Sequence, residues 1–111
     1  MYEAGSIILI PFPFSDLSSS KRRPVLMLTA ADARNDFVAM PLTSKLQPSP
    51  SLALEAGPLP QGGHLPLASW VKTDTAFTLS TTQVIKTLGR ISDEDRMYCV
   101  QQLCQYLRQG R

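Results

Sequence analysis

The chain is short of the side chains from which most metal and redox centres are built. Its 111 residues include one histidine, His64, and two cysteines, Cys99 and Cys104. The cysteines lie five apart in a helical stretch, which turns them about 140° away from each other. They share neither a metal nor an easy disulfide while that helix is intact. Two buried or half-buried thiols in a reduced, cytoplasmic compartment are expected. No cluster has metal-ligand spacing and no Gly-rich loop cradles a nucleotide, so no metal and no cofactor is expected. Long apolar runs are also missing. The run at 7–10 has the length of a strand, which excludes a membrane span or a signal peptide there. The net charge of +2 is too small to indicate nucleic acid by itself. With 43% hydrophobic and 18% charged residues, the composition excludes a disordered chain.

Against this plain background one stretch stands out, IILIPFPFSDLSSSKRRPVLML at 7–28. An apolar run leads into a serine-rich loop that ends in the consecutive cations Lys21, Arg22 and Arg23. Pro24 then opens a second apolar run. Two strands joined in this way present fixed positive charge at a rigid rim. Such charge suits phosphates, and a guanidinium also stabilises a phosphate that is changing charge.

The pattern predicts one domain of many short strands followed by one helix. Residues 5–12 read as a strand whose unbroken apolar character implies cover on both faces. A second strand is expected at 24–29 with Pro24 at its first position, and a third at 37–42, where Pro41 points to an edge or a bulge. Five of the nine prolines fall in 43–66. That segment reads as exposed loop holding a short strand at 52–54, with His64 a bystander within it. Further strands are expected at 67–72 and 76–79, then a helical turn and a strand at 85–88, ended by Gly89. Ser92 is the expected N-cap of a helix over 92–109, with Asp95 in the capping-box position. Met97, Val100, Cys104 and Leu107, widened by Leu103, form its apolar stripe. The expected architecture is mainly β with a C-terminal α-helix, a small barrel over 1–91 with a helical appendage.

In this order the segments GSIILIPFPF, KRRPVLML, VAMPLTS, SWVKTD and LGRISDED resemble the MazF/PemK-like toxins of toxin–antitoxin pairs. The resemblance spans most of the chain except its Pro-rich middle. It implies an SH3-like barrel and a homodimer. It also implies a metal-independent endoribonuclease that cuts single-stranded RNA at short sequences. The implied partner is an antitoxin that lays an extended acidic and hydrophobic segment across the RNA groove. The family's catalytic arginine precedes a proline at the start of the second strand, which corresponds to Arg23. Its hydroxyl partner closes the third strand, which corresponds to Thr43. Asp74 matches an acid that some members use. Lys72 stands where those members have an arginine two residues earlier, and a lysine is a point charge without the planar fork. Lys21, Arg22, Ser44, Lys45, Trp70 and Lys72 are the candidate RNA contacts.

RNA carries its own nucleophile. Attack of the 2′-hydroxyl on the adjacent phosphate gives a 2′,3′-cyclic phosphate and a 5′-hydroxyl end. The protein must orient the groups, move two protons and stabilise a dianionic phosphorane. In this scheme Arg23 supplies charge, Thr43 a hydrogen bond to a phosphate oxygen, and Asp74 a proton acceptor. Phe14 and Trp70 are expected in the core, and would stack on bases only if exposed near Arg23. The loop 13–21 is expected to be mobile in the free protein and ordered by RNA or antitoxin. The competing reading is a catalytically weak module on the same barrel that binds RNA or a partner, which Lys72 in place of arginine favours.

Overall fold

The computed structural model describes residues 2–11, 22–48 and 50–110. Lys21, Phe14 and the rest of the loop 13–21 lie outside the described residues. Strands β1 (Ser6–Pro11), β2 (Arg22–Met27) and β3 (Asp36–Thr43) are followed by β4 (Leu52–Leu54), β5 (Gly57–Pro58) and β6 (His64–Leu65). Then come β7 (Ser69–Val71), β8 (Phe77–Ser80), a 3-10 turn at Thr81–Gln83, β9 (Lys86–Arg90) and helix α1 (Asp93–Arg108). The main sheet runs β4-β7-β3-β2-β1-β9, with β8 also paired to β3, and β5 and β6 form a separate hairpin. This is the expected mainly-β fold with one C-terminal helix, built on a curled antiparallel sheet.

The unbroken apolar run of β1 is explained by two clusters, one on each side of the sheet. Ile7 packs with Leu26, Met40, Val71, Ile91 and Cys99. Ile8 and Ile10 pack with Val25, Met27, Phe37 and Leu79. Successive strand residues point to opposite faces, so a run buried on both sides has no polar alternation. The register of β1 against β9 shifts between Ile7 and Ile8, a bulge of the kind that increases local twist.

Two strands differ from the sequence expectation, each for a reason of pairing. Strand β2 begins at Arg22, so Pro24 lies inside it, opposite Leu9. The Leu9 carbonyl accepts from the Ile85 N–H at 2.8 Å. The polar groups of Leu9 therefore face away from β2, and Leu9–Pro24 is a pair without ladder hydrogen bonds. Pairing of β2 with β3 ends one residue later, at Val25 opposite Pro41, so the missing N–H of Pro24 costs no ladder bond. Nor is β3 an edge strand. It pairs with β2 on one side, and on the other with β8 over 36–39 and β7 over 42–43. Pro41 sits where that second side changes partner.

The segment 43–66 is more than loop. Beyond β4, at the expected place, it forms the β5–β6 hairpin and buries Leu59 and Leu65 in the core. Gly89 does not break the chain but lies buried within β9, bridged to Gly63. A Cβ on Gly63 would meet the Leu88 carbonyl and the Gly89 backbone, so both positions must be glycine for two backbones to approach this closely.

Helix α1 starts as expected, with the Ser92 Oγ accepting from the Asp95 N–H at 3.1 Å. Its apolar stripe divides between core and solvent, and Cys104, expected to be at least half-buried, falls on the solvent side. Cys99 is buried, with Tyr98, Val100 and Leu103 packed on the same cluster. Met97, Cys104 and Leu107 are exposed. Arg96 helps set this rotation by donating from Nη1 to the Leu28 carbonyl at 3.2 Å. No helix among the described residues is long and apolar enough to cross a membrane.

Candidate active site

The register of β1, β2 and β3 brings the two leading candidates together. Val25 faces Pro41 across the β2–β3 ladder. Two residues beyond that last pair stand Arg23 on β2 and Thr43 on β3. The two-residue period also puts both on the face of Val25 and Ile10. The side chains follow this prediction. Arg23, Thr43, Lys45 and Lys72 line one cavity of about 540 Å³, floored by Val25 and Phe77. No carboxylate lines it among the described residues. Three cations over an apolar floor suit an anion in a partly dry setting, where charge-assisted hydrogen bonds are strong.

The Thr43 hydroxyl is oriented by the backbone that follows it. Its Oγ1 accepts the Lys45 N–H at 3.2 Å, a local turn bond typical of a hydroxyl at a strand end. An oxygen that accepts there keeps its O–H as a donor for a phosphate oxygen. Arg23 is half-buried, and its stem runs beside Ile10, its partner on β1. Lys72 is anchored through its backbone N–H, which donates to the Pro41 carbonyl at 3.0 Å.

Arg23 and Thr43 also line a second cavity of about 310 Å³ on the other side of the strand ends. There they meet Arg22, Ser44 and Lys86 above Leu42, Leu65 and Leu88. The pair thus forms a rim shared by two grooves. Arg22 and Ser44 open only into this second groove, so they are separated from Lys45 and Lys72.

Asp74 is not brought into the cavity of Arg23 and Thr43. It is exposed in the turn after β7, where its Oδ1 accepts from the Thr75 hydroxyl at 3.0 Å. It lines an adjoining cleft of about 440 Å³ against α1. Trp70 is half-buried and pairs with Thr43 and Ala53, and it lines none of these three cavities. His64 is exposed on β6. The sequence reading missed Gln47, Thr75 and Phe77 as lining residues. Phe77 reaches the floor only because β8 pairs with β3, Ala39 opposite Phe77. No local pattern carries that information.

The family model described as PemK-like, MazF-like toxin of type II toxin-antitoxin system matches residues 3–107. The chain belongs to this toxin family. Three solved structures are similar to this member. One is an endoribonuclease in complex with its cognate antitoxin from a mycobacterial species, with 21% identity and a TM-score of 0.66 over 96% of this chain and 92% of the other. Another is a Mycobacterium tuberculosis MazF toxin, at 16% identity and a TM-score of 0.68 over 93% and 96%. The third is a mycobacterial endoribonuclease, at 21% identity and a TM-score of 0.63 over 96% and 90%. At these identities the likeness is one of fold. No curated protein matches the chain significantly by sequence.

Proposed function

We propose that this toxin is a sequence-specific, metal-independent endoribonuclease that cuts single-stranded RNA. The observation that carries this reading is that Arg23 and Thr43 line one cationic cavity, with no carboxylate among its described lining residues. The 2′-oxygen of the substrate attacks phosphorus and loses its proton. The bond from phosphorus to the 5′-oxygen breaks, and that oxygen gains a proton. Arg23 stabilises the dianionic phosphorane with charge and a planar fork, since an arginine is a poor proton donor at neutral pH. Thr43 donates to a non-bridging oxygen. Lys45 and Lys72 hold the flanking phosphates. Membership of the toxin family and the fold shared with two endoribonucleases support the same reading.

The inhibitory partner is an antitoxin with an extended segment that is both acidic and hydrophobic. The second groove suits it, because Arg22 and Lys86 stand over Leu65 and Leu88. Its occupant would reach the shared rim and crowd Arg23 and Thr43. The working form is a cytoplasmic homodimer.

One observation favours a second reading. Asp74, the matching acid, opens into a different cleft, which leaves the cavity without its candidate proton acceptor. A catalytically weak RNA-binding module would have this arrangement. Incubation of purified protein with mixed-sequence RNA in EDTA, followed by mapping of the ends, separates the two. Cyclic phosphate and 5′-hydroxyl ends are expected. Activity lost in EDTA and restored by magnesium would overturn the mechanism, and binding without cleavage would establish the second reading.

A further inference from the structure

The cleft that takes Asp74 away from Arg23 has a chemistry of its own. It lies between α1 and the turn 72–74, and Gln47, Lys72, Asp74, Gln102, Gln105 and Tyr106 line it. Its walls are fixed. Thr73, 2% exposed, donates its hydroxyl to the Pro50 carbonyl at 3.2 Å, and the Thr75 N–H donates to the Lys72 carbonyl at 3.2 Å. Buried Cys99 seats α1 on the barrel. Gln102 and Gln105 are three residues apart on that helix, so their amides stand side by side.

The geometry points to a base-reading subsite for RNA in this cleft, which rests on the single-stranded RNA binding in the proposed function and not on cleavage. Each glutamine amide has two donor hydrogens and one acceptor oxygen, the complement of a base edge. Gln47 spends its amide N–H groups on the Lys45 and Leu46 carbonyls, at 3.2 and 3.4 Å. Its side-chain oxygen is left as an acceptor. Asp74 accepts only, which suits an amino or imino group on a base. The same carboxylate repels a phosphate, so the cleft is not a backbone site. Tyr106 offers a ring on which an unpaired base can stack. Lys72 and Gln47 line both this cleft and the cavity of Arg23 and Thr43. A strand with its scissile phosphate at Arg23 therefore passes Lys72 and delivers a neighbouring base to the amides. An acidic antitoxin segment fits poorly, because Asp74 repels it and the glutamines give its apolar side chains no pocket.

The test uses full-length Arg23→Ala protein, so that recognition is read without cleavage. It selects bound sequences from a random single-stranded RNA pool, with and without Gln102→Ala/Gln105→Ala or Asp74→Asn. One or two base positions should lose preference by about 5- to 150-fold in these variants, the span of one good base-edge contact. Preferences at other positions should stay unchanged. An unchanged selection, or weakening that is uniform across all sequences, would overturn the proposal. So would intact RNA preference combined with weakened antitoxin binding, which would assign the cleft to the partner. Parallel incubation of the parent protein, with Arg23 present, tests the nuclease itself. Selective binding without any cleavage would sink the endoribonuclease reading and leave the subsite standing.

Discussion

Arg23 and Arg22 are adjacent in sequence and differ in surroundings, because neighbouring strand residues face opposite ways. Arg23 lines both grooves, whereas Arg22 is exposed and lines only the second. Arg23→Ala should lower the cleavage rate on the order of 10²–10³-fold with the thermal midpoint kept, the typical loss for one oriented transition-state contact. Arg22→Ala should act on binding, through phosphate attraction that weakens with salt. Single-turnover kinetics at two salt concentrations checks both, and an essential Arg22 with a dispensable Arg23 would show the motif register to be wrong. The two thiols divide in a similar way. Burial, with the nearby Asp95 charge adding to it, pushes the Cys99 thiol up to about 12, while Cys104 is exposed. A disulfide reagent at about pH 8 should therefore titrate one thiol in the native protein and both in denaturant. In the unfolded chain Cys99 ionises near ~8.5. The folded state then binds the extra proton, so stability should fall as pH rises from there towards about 12.

At the scale of elements, the contact between the 59–63 turn and β9 has no tolerance for a side chain. The Arg90 N–H donates to the Gly62 carbonyl at 3.0 Å, and the Gln61 N–H to the Arg90 carbonyl at 3.1 Å. A Cβ on Gly89 would stand 2.6 Å from the Leu59 Cδ1. Gly89→Ala should destabilise the protein by about 1–3 kcal/mol, the usual cost of overpacking. Urea unfolding should show a lower midpoint with an unchanged slope, and wild-type stability would mean that the hairpin shifts freely. Read locally, a glycine between an apolar strand and a helix cap looks like a breaker. Only its contact with Gly63 shows it to be a strand residue. The helix shows the converse. Its cap and limits follow from Ser92 and the acidic first turn. Its rotation depends on Arg96 reaching Leu28 and on Cys99 entering the core, which a stripe drawn through Met97 and Leu107 does not reveal.

For the whole molecule, that rotation leaves apolar surface uncovered. Met97 is 42% and Leu107 64% exposed on the helix, and Leu46 and Leu67 are 77% and 65% exposed on the loops. A chain of 12.2 kDa with this much exposed apolar surface is suited to pairing with a second copy. Sedimentation at micromolar concentration should give about twice the mass of the chain, and a species of 12.2 kDa alone would count against the dimer.

What the sequence determined by itself was local or collinear. The isoleucine run made β1, Ser92 capped α1, and the order of short segments from GSIILIPFPF to LGRISDED indicated the toxin family that the match over 3–107 establishes. Arg23 and Thr43 were singled out through the family resemblance, which ties one to Pro24 and the other to the end of a strand, and the structure shows that both line one cavity. Only the tertiary structure decided what these residues face. Pairing of strands distant in sequence brought Arg23 and Thr43 to one cavity, carried Phe77 beneath them, and left Asp74 in the cleft with the glutamines of α1. Register and helix rotation are settled by packing between segments far apart in the chain, and composition and periodicity do not encode which segments meet.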